Sequence, residues 1–317
     1  MNFSVVATEF PSLLLQGLAL GLIYALVSLG YTMVYGVLRL INFANSEVFM
    51  IGTFATLYVQ IHILGLTNGS VPMHGFRVVY SLLLCLVSSM LVSAFVAVLV
   101  ELVAYRRLRA KGANRLASLI SAIGVSIVLM EWVGLLTGSR PRSGARILEK
   151  WSIFEIGGAN FRIDTVMAIV LPILIFLILN RFVTKTRLGK SIRAVSMSEE
   201  NSKLMGININ QVITLTFIIG GLTTGAAAFL FMTVYENTAF TIGFNMGIAA
   251  FTAAVLGGIG NLKGAFYGGI ALGLMEQFAS AVIGSEWKAV TVFVVLVLVL
   301  LFKPNGLFGE AVQQTRT

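Results

Sequence analysis

RFVTKTRLGKSIRAVSMSEENSKLMGININQ, running from Arg181 to Gln211, is the most polar run in a chain that is otherwise apolar. Membrane-length segments lie on both sides of it, so its reading decides how the rest is arranged. Six basic side chains fall within it (Arg181, Lys185, Arg187, Lys190, Arg193, Lys203) against two acids, Glu199 and Glu200. The positive-inside rule puts so short and basic a loop in the cytoplasm. Its second part reads as a small helix, with Ser196 as the cap, Glu199 completing a capping box three residues on, and Gly206 as the left-handed residue that ends it. An isolated helix below ~12 residues is marginal in water, so this one needs a surface to dock on. The competing reading is a solvated connector.

Composition agrees with this frame. Of 317 residues, 57% are hydrophobic and 11% charged, and the mean hydropathy is +0.93. A soluble domain carries about 25% charge, so the chain is an integral membrane protein. The net charge of +9 could point to nucleic acid. The basic residues, however, gather at the ends of apolar runs, as membrane topology requires. Cys85, the one cysteine, lies inside an apolar run, which excludes an internal disulfide and cysteine metal clusters. The opening MNFSVVATEFPS lacks a basic n-region, so the first apolar segment is expected to remain as a spanning helix.

A spanning helix needs ~20 mainly apolar residues. Nine runs qualify: Leu13 to Val37, Val48 to Leu66, Val78 to Ala104, Leu116 to Thr137, Thr165 to Val183, Val212 to Val234, Phe244 to Ile259, Ala265 to Gly284, and Trp287 to Phe302, the seventh being the shortest. A second basic cluster, Arg106, Arg107, Arg109, Lys111 and Arg115, precedes the opening loop by two crossings and so shares its side. Arg39, Lys263 and Lys303 fall on that side too. Gly138 to Asp164 falls on the other side although it holds Arg140, Arg142, Arg146, Lys150 and Arg162; Glu149, Glu155 and Asp164 accompany them.

Glycines recur at four-residue spacing: Gly17 and Gly21, Gly221 and Gly225, Gly260, Gly264 and Gly268, Gly269 and Gly273. In lipid, small residues so spaced let helix backbones approach closely, which predicts a tightly packed bundle. VLGGIGNLKGAFYGG, from Val255 to Gly269, reads as a tight turn or as a broken helix beside a pathway.

Enzyme readings find little support. His62 and His74 stand apart from other ligand types, and HExxH, GxSxG and GxxxxGK are missing from the sequence. If ATP energises the protein, another subunit hydrolyses it. Ionisable groups in a bilayer cost at least ~2.5 kcal/mol, so each one is a functional candidate. Glu101 and Glu131 read as interfacial, Glu236 lies beside an apolar run, and Glu276 lies deep within one. Asn42, Asn45, Ser46 and Glu47 either line a polar cavity or form a capped turn, Asn45 and Ser46 being good N-cap residues.

Four motifs in order together resemble one family. They are GLIYALVSLGYTMVYGVLRLINFANSEVFMIGTF from Gly21, RAVSMSEENSKLMGININ from Arg193, FTAAVLGGIGNLKGAFYGGIALGLME from Phe251, and the closing LFKPNGLFG from Leu301. The chain is similar over nearly its whole length to the LivH-type permease subunits of bacterial ABC importers for branched-chain amino acids. It departs from them at Asn45 and Ser46, where histidine and glycine are usual.

The apolar runs predict an all-α, polytopic transmembrane bundle of about eight to ten spanning helices, and the resemblance agrees with a membrane subunit. It implies a single permease domain over residues 1–317 with a cytoplasmic coupling loop at 184–210, in a bacterial inner (plasma) membrane. The partners it implies are a second related permease, two ABC ATPase subunits that hydrolyse the ATP, and a periplasmic substrate-binding protein. This chain is expected to hold no cofactor or metal and to be no enzyme. Ala194 to Gly206 would be the coupling segment, with Arg193, Ala194, Ser196, Ser198, Glu199, Glu200, Leu204 and Gly206 at the ATPase contact. Asn42, Asn45, Ser46, Glu47 and Glu276 are the candidates for the translocation pathway. The alternatives are a urea or amide permease of the same family and a stand-alone secondary transporter coupled through Glu276 and Glu47.

Overall fold

A computed structural model describes residues 9–66, 75–112, 114–148, 152–156 and 159–309. His74, Glu149 and Lys150 lie outside the described residues. The chain is a bundle of helices, as its apolar runs require: in hydrocarbon every backbone donor and acceptor must be satisfied within the segment, and a helix does so. Helix α1 is Phe10–Leu38, α2 Asn45–Tyr58, α3 Phe76–Val100, α4 Arg107–Ala110, α5 Arg115–Thr137, and α6 Ile163–Lys185. Two short helices follow, α7 Arg187–Met197 and α8 Glu199–Leu204, then α9 Ile209–Tyr235, α10 Ile242–Gly257, α11 Leu262–Ile283 and α12 Lys288–Phe302. The π-helical stretches Val59–Ile63 and Glu101–Arg106 extend α2 and join α3 to α4.

Among the described residues seven helices are long and apolar enough to cross a membrane. They are α1, the continuous span Phe76–Ala110, α5, α6, α9, α11 and the segment Ser285–Phe302 that contains α12. The other two apolar runs became the shorter helices α2 and α10, of 14 and 16 residues. At about 1.5 Å per residue α10 does not reach across a ~30 Å hydrocarbon core by itself, whereas α2 with its π-helical extension to Ile63 comes close to doing so. Both start inside the bundle. Ser93, midway along the span Phe76–Ala110, donates from Oγ to the carbonyl of Val48, which fixes the start of α2 at mid-depth.

Contacts between helix ends sort the chain into two ends. At the basic end, Arg39 meets Ser196, Arg109 meets Asn210, and Asn261 meets Phe308. At the far end, strand β1 (Arg142–Ser143) pairs with β4 (Asn237–Thr238), Arg146 bonds Glu236, and β2 (Ser152–Ile156) pairs with β3 (Ala159–Arg162). The two basic clusters therefore share an end and the described residues of Gly138 to Asp164 take the other, as the crossings require. Capping follows the same division. Five of the helices that start at the basic end carry side-chain caps: Asn114 on α5, Thr186 on α7, Ser198 on α8, Asn208 on α9 and Asn261 on α11.

Over their most apolar stretches α1 is 83% buried and α9 72%, whereas the α12 segment is 6% buried, so α1 and α9 form the centre and α12 the rim. Glycine makes the central contact. On α1, Gly21 lies against the Gly269 carbonyl and Ile270 of α11, and a Cβ at Gly273 would overlap the Gly21 backbone. Gly221 and Gly225 of α9 lie as closely against Ala94 and Met90 of α3. The turn after α10 is tight: Gly258 and Gly260 have φ of +104° and +97°, and the Asn261 side chain accepts from the amides of Lys263 and Gly264. The closing segment folds back on it, with Leu307 and Phe308 donating to the carbonyls of Leu256 and Gly257.

Two sequence expectations change. Ser196 is no cap: α7 runs through it, its hydroxyl donates to the Arg193 carbonyl at 2.7 Å, and Ser198 caps α8 by accepting from the Asn201 amide at 3.3 Å. Glu199 pairs instead with Lys203 at 3.4 Å. Glu101 is fully buried rather than interfacial, because the π-helical turn brings Arg106 and Arg109 within 3.3 and 3.1 Å of its carboxylate.

Candidate translocation site

Residues 39–44 leave α1 and lead to the start of α2 inside the bundle, irregular backbone that is tolerated at depth where protein covers it. Arg39, in the left-handed conformation at φ 51°, makes the turn. Asn42, Asn45, Ser46 and Glu47 are all buried. The capped-turn reading fails here, since the residue before α2 is Ala44 and no side chain caps that helix. A polar cluster at the middle of the bundle is what forms.

Its partners come from across the sequence. Tyr105 donates from Oη to Asn42 Oδ1 at 3.1 Å, and Thr224 of α9 donates to Asn45 Oδ1 at 3.3 Å. Ser126 of α5 and the neighbouring Ser46 each donate to Glu47 Oε1 at 3.2 Å. Asn45 Nδ2 and Glu47 Oε2 have no hydrogen-bond partner among the described residues. Orphaned buried groups are rare, so a side chain left with spare capacity at two neighbouring positions marks a place where a polar solute can be handled.

The first turn of α10 closes the cluster. A Cβ on Gly243 would fall 2.7 Å from Glu47 Oε2, and one on Gly247 2.5 Å from Ser46 Cβ and 3.1 Å from the Tyr31 hydroxyl. The N-terminal turns of α2 and α10 thus meet at Glu47, and both present the positive end of their dipoles to its carboxylate. From there α2 runs to the far end, where Thr53 and Thr238 share a 2.6 Å hydroxyl contact, and α10 runs to the basic end. Paired broken helices with polar groups at the break are the arrangement in which membrane transporters hold a solute.

Glu276, also buried, stands apart from this cluster and accepts from the Tyr24 hydroxyl at 2.8 Å. It lines a cavity with Lys288 nearer the far end. The coupling candidates lie at the basic end on α7 and α8: Gly189, Ile192 and Val195 turn inward, while Met197, Leu204 and Met205 are 82%, 85% and 83% exposed. Gly206 has φ +78° and ends α8. The sequence reading missed Tyr31, Tyr105, Ser126, Thr224 and the glycines of α10. A tyrosine inside an apolar run needs a partner for its hydroxyl, and that was the available signal.

A multi-pass helical bundle with a polar break at its centre and two short helices at its basic end has the architecture of a membrane transport protein. Comparison with known proteins makes this specific. The family described as "Branched-chain amino acid transport system / permease component" matches residues 13–300, and the chain belongs to that family. It is 40% identical to the high-affinity branched-chain amino acid transport system permease protein BraD of Pseudomonas aeruginosa, over 94% of this chain and 95% of that one. It is 37% identical to the LivH permease protein of Escherichia coli, over 95% and 96% of the two chains. A probable branched-chain amino acid transport permease protein of Methanocaldococcus jannaschii is 24% identical over 90% of this chain and 88% of its own.

Proposed function

We propose that this chain is the membrane-spanning subunit of an ATP-driven importer for branched-chain amino acids in a bacterial inner membrane. It works beside a second related permease, two ABC ATPase subunits and a periplasmic substrate-binding protein. It binds no cofactor itself, and its partners hydrolyse the ATP. The observation that carries this reading is the pair α7 and α8 at the basic, cytoplasmic end. An 11-residue and a 6-residue helix cannot persist in water by propensity, and α8 and its C-terminal end present Leu204 and Met205 outward. A surface of that kind is completed by another protein, and an ATPase is the partner that an energised permease needs there.

Alternating access follows from the connections. Movement of α7 acts on Arg39 through its bonds to Ser196 and Met197, and Arg39 opens the segment that carries Asn42, Asn45, Ser46 and Glu47. ATP-driven displacement of α8 thereby reaches the polar break. The coupling residues are Arg193, Ala194, Ser196, Ser198, Glu199, Glu200, Leu204 and Gly206.

The test is substrate-stimulated ATP hydrolysis by the reconstituted complex. Gly206→Pro removes both the φ +78° conformation and the amide that donates to the Lys203 carbonyl, and charge reversal at Glu199 and Glu200 alters the exposed first turn of α8. Each is expected to abolish stimulation while the chain still inserts. Stimulation at the wild-type level in both variants would overturn the assignment.

A further inference from the structure

The polar break absorbs one set of buried groups and leaves another unexplained, around Glu276. We infer that the bundle holds a second, separate binding site for a free α-amino acid, in the cavity of about 340 Å³ between α1, α9, α10, α11 and α12 near the far end. The importer reading supplies the choice of amino acid as ligand class, and the site itself rests on the following geometry.

The cavity has two chemical halves. Glu276 and Lys288 supply one charge of each sign, and Tyr24 holds one Glu276 oxygen at 2.8 Å. Phe231, Met246 and Val292 belong to the rest of the wall, which is apolar except for Asn245. Among the described residues Glu276 and Lys288 form no ion pair within 4 Å, although both line the same space. An acid and a base that face one cavity without meeting can each take one group of a zwitterion, the ammonium at Glu276 and the carboxylate at Lys288. The apolar wall then takes the side chain.

Burying a carboxylate in a membrane protein without a charge partner is costly, which is the reason to look for a ligand at Glu276. The volume lies at the lower end of the ~300–1,000 Å³ typical of small-molecule sites, as a single amino acid requires. A neighbouring cavity of about 440 Å³ shares Lys288 and is lined by the Arg162–Asp164 pair and the Gln16–Gln277 amide contact, so polar groups of both signs adjoin the site.

Binding of radiolabelled L-leucine to the assembled membrane complex in nanodiscs, without ATP or binding protein, tests the site independently of coupling. Wild type is expected to bind leucine in preference to leucinamide, which lacks the carboxylate, and 4-methylpentanoate, which lacks the ammonium. Glu276→Gln should weaken leucine at least about tenfold and remove the preference over 4-methylpentanoate, since a hydrogen bond to a charged group is lost. Lys288→Met should remove the preference over leucinamide, and Lys288→Arg should restore it. Absence of leucine binding to wild type, or equal leucine affinity in all variants, overturns the site. Loss of coupling in the Gly206→Pro complex with leucine binding retained leaves it standing, so the two readings fail separately.

Discussion

Arg39 Nη2 donates to the carbonyl of Ser196 at 3.1 Å, joining the end of the first spanning helix to the last turn of α7, 157 residues away in sequence. The same nitrogen reaches the Met197 carbonyl at 3.5 Å. A guanidinium at a helix C-terminus satisfies carbonyls that have no partner within the helix and opposes the negative end of its dipole. Here it also fastens the last turn of α7 to the segment that enters the polar break.

Replacing Arg39 should therefore separate docking from transport. Arg39→Ala is expected to leave membrane insertion and complex assembly intact, while leucine uptake and substrate-stimulated ATP hydrolysis fall together by about tenfold, the loss of one charged hydrogen bond of ~1.5 kcal/mol. Uptake measured in proteoliposomes at the wild-type rate would show that the contact transmits nothing.

The α1 and α11 crossing should tolerate no side chain. Gly273→Ala drives a methyl group into the Gly21 backbone, so the thermal midpoint in detergent is expected to fall, by an amount equivalent to about 1–3 kcal/mol. Gly36→Ala is the matched control, since nothing lies within 4 Å of a Cβ there. That change should be neutral or raise the midpoint slightly, because alanine is the better helix former by ~0.5–1 kcal/mol. Equal midpoints for the two variants would contradict the packing described.

The node at Glu101 should behave as a buried pair does. Its carboxylate holds Arg106 and Arg109 and accepts from Thr214 of α9 at 3.2 Å. Breaking a fully buried pair costs ~3–5 kcal/mol; the Arg106 side chain is 41% exposed, so Glu101→Gln should cost less, about 1–3 kcal/mol. Arg109 is then left without its acid. Combining Glu101→Gln with Arg109→Gln is expected to recover part of the loss, and a double variant less stable than the single one would argue against the pairing.

Much of this architecture was legible because membrane helices announce themselves by length and apolarity. Nine runs became nine helices, and the four-residue glycine spacings on α1, α9 and α11 fall at close crossings. The local grammar was less decisive. Ser196 and Ser198 are both competent caps two residues apart, and burial of Gly189, Ile192 and Val195 on one face carries α7 past the first. Glu101 reads as an interfacial acid because it lies near the end of its apolar run, and a five-residue spacing to Arg106 has no meaning on an α-helix. A π-helical turn gives it one.

The polar break was legible only in part. Asn42, Asn45, Ser46 and Glu47 stood out as a cluster, but Ser126 and Thr224 reach it from 79 and 179 residues away, across helix packing that the sequence does not display. The shortness of α10 was visible in its run. That its first turn meets Glu47 through Gly243 was not.

The account stands most directly on what touches Leu204, which is 85% exposed on α8. Cys85 is buried and is the one cysteine of the chain, so a Cys85→Ala, Leu204→Cys variant carries a single labelled position. Coupled to maleimide-benzophenone, illuminated in its native membrane and analysed by mass spectrometry, that variant is expected to yield an adduct with a P-loop ATPase. Complete labelling with adducts to lipid alone would contradict an ATP-driven importer and favour a transporter that works by itself.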